Sequence, residues 1–312
     1  MKLINFVPTG TKIRFLAIRK VAILASLFLC IGSGVLFLTK GLNYGIDFRG
    51  GILLEVRTAD TANLANIRSK LNTLGLGEVE LQRFGNDTDV LIRIEAQPGG
   101  EKGQNAAVSK VKNTLDSSVK YRRTEFVGPK VSGELIEAGV TAVILALIAM
   151  LMYIWFRFEW QFGVGAVAAL GHDVIMTIGV FSLLGLEFNL STVAAILTIA
   201  GYSINDTVVV YDRVRENLRK YKVRPLEDVL NMSLNDTLSR TLLTSVTTLI
   251  ALLILYFYGG EVIKGFSFAM IWGVLVGTYS SIYVATPLLV HMNLRASAVA
   301  LPDKDDNAAE MP

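Results

Sequence analysis

Six apolar runs, each long enough to cross a bilayer, decide what this chain can fold into. Val21–Leu38 is the first, and residues 135–155, 163–184, 190–211, 238–257 and 265–290 follow. A hydrocarbon core about 30 Å thick needs roughly 20 apolar residues of helix, and inside it every backbone polar group must find its partner within the protein. The mean hydropathy of +0.48 over 312 residues comes from these blocks, a pattern that soluble globular chains do not show. The chain therefore reads as a polytopic α-helical membrane protein with six transmembrane helices and one polar insert.

Residues 1–20 carry Lys2, Lys12, Arg14, Arg19 and Lys20 and read as a cytoplasmic N-terminus ahead of transmembrane helix 1 at 21–38. A basic start before an apolar run also opens secretory signals. Here Leu38-Thr-Lys-Gly-Leu-Asn43 offers no small-x-small cleavage site, so the run reads as an uncleaved span. The insert, 39–133, alternates in pattern: strand Ile46–Arg57, helix Thr61–Leu74, strands Glu78–Phe84 and Asp89–Glu95, helix Gln104–Leu115, strand Tyr121–Val127. The Gly85-Asn-Asp-Thr88 turn between the middle strands has hairpin chemistry. The order β-α-β-β-α-β predicts a small ferredoxin-like α+β domain between helices 1 and 2. A five-helix transmembrane domain follows at 134–292, with a charged amphipathic segment at 212–237 that reads as a surface helix and a short second one from Pro225. Residues 293–312 are polar and acidic and read as a disordered cytoplasmic tail. Lys and Arg concentrate in 1–20, 156–162 and 212–237, whereas the short connections on the other side hold only Lys264. The positive-inside rule then places both termini in the cytoplasm and the folded insert in the periplasm.

Charge inside the apolar runs is the functional signal. Asp206 lies in Ala200-Gly-Tyr-Ser-Ile-Asn-Asp206-Thr-Val-Val-Val-Tyr211. A carboxylate at a helix centre costs about 2.5–3.5 kcal/mol, so one that stays there has a partner or a task. Arg240, just inside the next run, is the best partner in the sequence. At 1.5 Å per residue Asp206 is roughly 9 Å and Arg240 roughly 5 Å inside the same boundary, on consecutive antiparallel helices. Pairing and burial act on Asp206 in opposite senses, and that opposition can leave a carboxylate able to load and release protons. A static ion pair that pins two helices fits the same residues. His172-Asp173 is a second anomaly, roughly 16 Å deep counted from Phe162; it reads as a proton relay or as a polar pair bonded to neighbouring hydroxyls. Tyr202, Ser203, Asn205, Ser239, Thr241, Thr244 and Ser245 extend a polar seam along the Asp206 and Arg240 helices. Gly273 and Gly277 form a GxxxG pair that predicts close helix packing in the last span.

Three stretches resemble one family. Gly45-Ile-Asp-Phe-Arg-Gly-Gly51, the run from Ala200 through Tyr211 to Asp-Arg-Val-Arg-Glu-Asn217, and Ser239-Arg-Thr-Leu-Leu-Thr-Ser-Val246 look like the signatures of the SecD/SecF family of the bacterial Sec translocon. Six spans and one short external domain are similar to its SecF branch, and the resemblance covers about residues 19–292. It implies a twelve-span unit of the RND (resistance-nodulation-division) superfamily formed with SecD, associated with SecYEG and YajC in the inner membrane. Such a unit uses the proton-motive force to assist protein export after SecA has pushed the chain through. Its external domains hold and release the unfolded polypeptide. The resemblance also implies that Asp206 and Arg240 carry proton movement together with an Asp of SecD, and it places Asp173 in a shared HD element of less defined role. Asp47 and Arg49 in the first motif read as local bonds near the membrane exit, or as contacts to substrate or SecD.

Rival classes leave less support. An intramembrane aspartyl protease needs a GxGD element, which neither Gly171-His-Asp173 nor Ile204-Asn-Asp206 supplies. A stand-alone RND-type exporter needs twelve spans or a homodimer. A purely structural translocon subunit, with Asp206 and Arg240 only holding helices, fits as well as proton coupling does. There is no Walker-type loop, and with Cys30 the single cysteine, neither disulfides nor a metal cluster is expected. The chain is expected to be no enzyme, to need no cofactor and to bind no nucleic acid.

Overall fold

The computed structural model describes residues 11–83, 85–115, 119–292 and 294. A 3-10 turn at Phe15–Ile18 leads into α1 (Arg19–Lys40). Then come β1 (Asn43–Tyr44), α2 (Ile46–Arg49), β2 (Gly51–Arg57), α3 (Leu64–Asn72), β3 (Val79–Arg83), β4 (Asp89–Ile94), α4 (Gly100–Thr114) and β5 (Lys120–Val127). After them run α5 (Pro129–Arg157), α6 (Trp160–Leu184), β6 (Glu187–Phe188), α7 (Leu190–Lys220), α8 (Leu226–Tyr258) and α9 (Glu261–Ser280). A π-helical segment, Ser281–Ala285, and α10 (Thr286–His291) close the described chain. The chain divides into two compact units: Met1–Gly41, Leu145–Gly185 and Ala194–Pro312 form one, Leu42–Ile144 and Leu186–Val193 the other.

The first unit is helical. Among the described residues six helices are long and apolar enough to cross a membrane: Phe15–Lys40, Lys130–Arg157, Trp160–Leu184, Leu190–Lys220, Leu226–Tyr258 and Ile263–His291. α6, α7 and α9 are the most buried, whereas the apolar stretch of α5 buries none of its positions. Such an all-round apolar surface suits lipid or another protein rather than water. The expected surface helix at 212–237 is absent as a separate element. α7 runs unbroken to Lys220, and the chain re-enters through α8, which starts directly after Pro225. Arg213 bonds Asp236 (2.8 Å) and Asn217 bonds Ser233 (3.0 Å), so the charged ends of the two helices hold each other. The last apolar run is likewise broken by the π segment. Pro287 follows it and has no N–H to offer the carbonyl four residues back.

Helix contact in this unit depends on absent side chains. A Cβ on Gly273 would stand 2.2 Å from the Ile199 side chain, and one on Gly277 3.1 Å from that of Ser203. The GxxxG pair thus lies directly on α7. A Cβ on Gly179 would stand 2.0 Å from Ser33 Oγ, which sets the approach of α6 to α1.

The second unit carries a four-stranded antiparallel sheet in the order β3-β4-β2-β5. Ile52, Leu54 and Val56 from β2 and Val90, Ile92 and Ile94 from β4 point to one face, following the period of two. There they form a core with Ile67 and Leu71 of α3 and Ala107, Val108 and Val111 of α4. Asn63 caps α3 by accepting from Asn66 N at 3.1 Å. The strand expected from Ile46 begins only at Gly51. Ile46–Arg49 form a helical turn, and Gly51 at φ 115° is where the chain straightens. A Cβ there would meet Ile94 O at 2.4 Å, so only glycine fits. The expected tail from 293 lies outside the described residues, apart from Leu294.

On the other face Arg57 grips buried Asp89 through two 2.6 Å bonds, with Arg122 at 3.4 Å. This guanidinium holds the Asp89 carboxyl below the usual carboxylate range. A carboxyl whose folded pKa is depressed stabilises the fold above its unfolded pKa, and that contribution is lost as pH falls through the folded value. Asp89→Asn is expected to cost the sheet about 1–3 kcal/mol at neutral pH. It is also expected to flatten the acid sensitivity below about pH 4. Hydrogen exchange of β2 and β4 amides in the full-length protein checks both; unchanged protection would contradict them. In the helical unit, Gly273→Val is expected to lower stability by about 1–3 kcal/mol through overpacking, read as a lower melting temperature in detergent. Gly32→Ala, where a Cβ meets nothing within 4 Å, should leave it unchanged.

Candidate functional site

Two carboxylates lie buried in the helical unit. Asp206 on α7 accepts from Thr241 Oγ1 on α8 at 2.6 Å and from Ser281 Oγ at the start of the π segment. Asp173 on α6 is fully buried. Its Oδ2 accepts from Ser203 on α7 (2.5 Å) and from Ser280 at the end of α9 (2.8 Å), and its Oδ1 stands 2.9 Å from His172 Nδ1. When that carboxylate is ionised it only accepts, and the imidazole then donates through Nδ1. Among the described residues, Nε2 of His172 is buried without a hydrogen-bond partner.

The two sites are joined twice. Ser203 and Asp206 are three residues apart on one helix, so they share a face. Ser280 and Ser281 are adjacent, and each donates to a different carboxylate on a different helix. A hydroxyl seam continues from Asp206. Ser245, one turn beyond Thr241, stands 2.8 Å from Thr278 Oγ1, and Tyr202 donates to Ser245 at 3.3 Å.

The π segment is itself held in place. Thr286 Oγ1 donates to Ser281 O at 2.8 Å, and the buried Tyr211 hydroxyl donates to Ala285 O at 3.1 Å. Gly165 leaves room for that tyrosine, since a Cβ would stand 2.2 Å from its hydroxyl. Irregular backbone inside a membrane span survives where protein groups satisfy its carbonyls.

The expected Asp206–Arg240 ion pair is not formed. Among the described residues Arg240 makes no ion pair. Its side chain is exposed while its neighbour Thr241 points inward to Asp206. One step along a helix turns a side chain by about 100°, which puts adjacent residues on different faces. Asn205, Ser239 and Thr244 are exposed on the same two helices, so the polar seam splits into an inner part and an outward part. Asp173 is bonded to His172, Ser203 and Ser280, contacts that both of its readings share.

Two residues of this site escaped the sequence reading: Ser280 and Ser281. The signal was there, in the four consecutive hydroxyls Thr278-Tyr-Ser-Ser281 inside an apolar run. Serine is ordinary in membrane helices, and only the packing shows which serines face a charge. In the other unit, Asp47 accepts from Leu190 N at 3.0 Å and Arg49 bonds Glu80 at 2.8 Å, so both motif residues make local contacts.

Comparisons with known proteins agree on one group. Residues 107–295 match the family described as protein export membrane protein SecD/SecF, C-terminal, and residues 35–62 match the SecD/SecF GG motif. The protein translocase subunit SecF of Rickettsia bellii is 45% identical over 288 residues, covering 92% of this chain and 95% of that protein. Its counterpart in Cereibacter sphaeroides is 46% identical over 310 residues, covering 96% and 95%. Among solved structures, SecDF from Thermus thermophilus, titled a translocon-associated membrane protein, aligns with a TM-score of 0.83 at 36% identity. The alignment covers 91% of this chain and 39% of that chain.

Removing one donor from a charged acceptor in this site should be costly. Ser280→Ala and Thr241→Ala are each expected to destabilise the helical unit by about 1.5–3 kcal/mol, the range for hydrogen bonds to charged groups. Thermal unfolding in detergent checks this. Ser239→Ala, on the outward face, should be silent in the same assay.

Proposed function

Because the chain belongs to the SecD/SecF family of protein export membrane proteins, we propose that it acts as the SecF half of a SecD–SecF unit that uses the proton-motive force to assist protein translocation. Family membership carries the role in protein translocation itself. The proton-coupled mechanism rests chiefly on one observation: Asp206 is buried in a span with hydroxyl donors alone, beside an arginine that faces outward. Such a carboxylate has two candidate counter-charges, a proton or the guanidinium of Arg240. Exchanging one for the other changes which helix faces are held together, and this is what a two-state element needs. Moving one charge through about 100 mV releases roughly 2.3 kcal/mol, enough to bias such an element. Asp173, tied to Asp206 through the serines, belongs to the same unit.

The outward polar groups support a partner chain in the membrane. Arg240, Asn205 and Thr244 face away from this bundle within candidate spans, where lipid is a poor neighbour for a charge. SecD fits that place. The similar SecDF chain is more than twice as long as the part matched here, and we take its remainder to correspond to a separate SecD. SecYEG, YajC and the translocating unfolded polypeptide are the further partners of this reading. The strand order β3-β4-β2-β5 with both helices on one face suits a ferredoxin-like periplasmic domain that meets the emerging polypeptide. The basic residues flanking the spans suit an inner-membrane protein with both termini in the cytoplasm.

Asp206→Asn and Arg240→Met, in cells that depend on this chain, test the reading. Maturation of an exported protein is followed by pulse-chase, with accumulation and SecD co-purification measured alongside. Export is expected to slow about tenfold, the equivalent of about 1.4 kcal/mol, with assembly intact. A protonophore should then add little further slowing. Normal export in Asp206→Asn would make the carboxylate a structural charge and the subunit a scaffold.

A further inference from the structure

The hydroxyls of Ser280 and Ser281 each have two acceptors and one proton. Ser281 Oγ lies within bonding distance of Asp206 Oδ2 and, at 3.1 Å, of Thr278 O in its own helix. Ser280 Oγ lies 2.8 Å from Asp173 Oδ2 and 3.1 Å from Gly277 O. A hydroxyl donates one hydrogen bond at a time, so these acceptors are alternatives. We propose that Ser281 is a positioning residue that reads the charge on Asp206 by switching its donor between the carboxylate and Thr278 O, and that Ser280 carries the switch to Asp173. The inference rests on the proton-coupled reading above and adds the residues that transmit it.

The steps balance without any proton leaving serine. When Asp206 is ionised, Ser281 donates to it. When a proton from the aqueous phase reaches Asp206, the carboxylic O–H donates to Ser281 Oγ, and the serine O–H rotates to Thr278 O. The bond that held the π segment to α7 has then reversed its direction. The segment is suited to respond, since Ser281 is its first residue and its i→i+5 register has the ordinary helical register as a close alternative. Ser280 and Ser281 are neighbours on one backbone, so a register change displaces both donors together, and Asp173 senses it. Among the described residues the titratable and charged groups around the pair include Arg240 from α8, Asp173 and His172 from α6, Tyr211 from α7, Tyr279 from α9, Tyr283 in the π segment and Cys30 from α1, which lies within electrostatic reach of Asp173.

Infrared difference spectroscopy between alkaline and acidic pH tests this, on the full chain reconstituted with SecD in proteoliposomes. A carboxylic C=O band present in the unaltered protein and lost in Asp206→Asn belongs to Asp206. In Ser281→Ala that band should move to higher wavenumber, because the acid loses its acceptor, and Ser281→Thr should return it. Export should fall about tenfold with alanine and recover with threonine. Asp173→Asn should shift the Asp206 band when Ser280 is present and leave it in place in Ser280→Ala. If Ser281→Ala fails to accumulate, Ser281→Cys, close in size and a weak acceptor, gives the same reading. A band unmoved by Ser281→Ala or Ser281→Cys overturns the proposal and leaves proton coupling at Asp206 standing. Absence of any Asp206 band in the unaltered protein overturns the proton-coupled reading itself.

Discussion

The helical unit is arranged around two buried carboxylates that, among the described residues, have hydroxyls and one imidazole as partners and no arginine or lysine at bonding distance. Each charge would be prohibitive alone in hydrocarbon. Four hydroxyls on α7, α8 and the α9 terminus make them tolerable, and those hydroxyls must arrive from different helices at once. This explains where the bundle is closest. Gly277 brings the helix bearing Ser280 and Ser281 down onto Ser203, and Gly273 repeats the approach one turn earlier at Ile199. Gly165 admits Tyr211, whose hydroxyl takes up a carbonyl of the π segment. Small residues here act as spacers that set donor distances.

The polar residues of α7 and α8 divide by direction, and the division separates two jobs. Ser203, Asp206 and Thr241 turn inward and bond within the chain, whereas Asn205, Ser239, Arg240 and Thr244 turn outward. An arginine on the outer face of an apolar helix has no good neighbour in lipid, and this supports the proposal that a second membrane chain covers that face. The exposed apolar side chains Leu242, Leu243 and Val246 surround it and supply ordinary packing surface.

The apolar runs announced six spans, and among the described residues six helices have that length, because hydrophobic length is a property of composition alone. The strands of the insert were legible from period two, since alternate residues of β2 and β4 do face one core. Where the sequence misled, backbone geometry overrode pattern. Ile46–Arg49 has the alternation of a strand but closes a helical turn ahead of the Gly50–Gly51 corner. Residues 212–220 look like a surface helix because they are charged, yet nothing between Tyr211 and Asp212 can stop a helix, so α7 simply continues. Asp206 stood out as a charge in an apolar run. Its partners did not, because pairing by opposite charge picks Arg240, and the geometry of one residue along a helix picks Thr241.

The two carboxylates differ in a way that bears on the proposed mechanism. Asp173 has no exposure, three side-chain partners and a neighbouring histidine whose second nitrogen is also buried. Asp206 has two hydroxyl partners and is flanked in sequence by outward-facing Asn205, at the boundary between the inner seam and the outer face. In the proposed mechanism the proton is loaded at Asp206, which is 8% exposed against 0% for Asp173. In that mechanism Asp173 responds rather than loads, and among the described residues no charged side chain bonds both carboxylates. The contacts between them run through Ser203 on α7 and through the Ser280–Ser281 step, and only the second sits on backbone with an alternative register. Doubled acceptors on Ser280 and Ser281, next to a π register, are the features that the proposed charge reader uses.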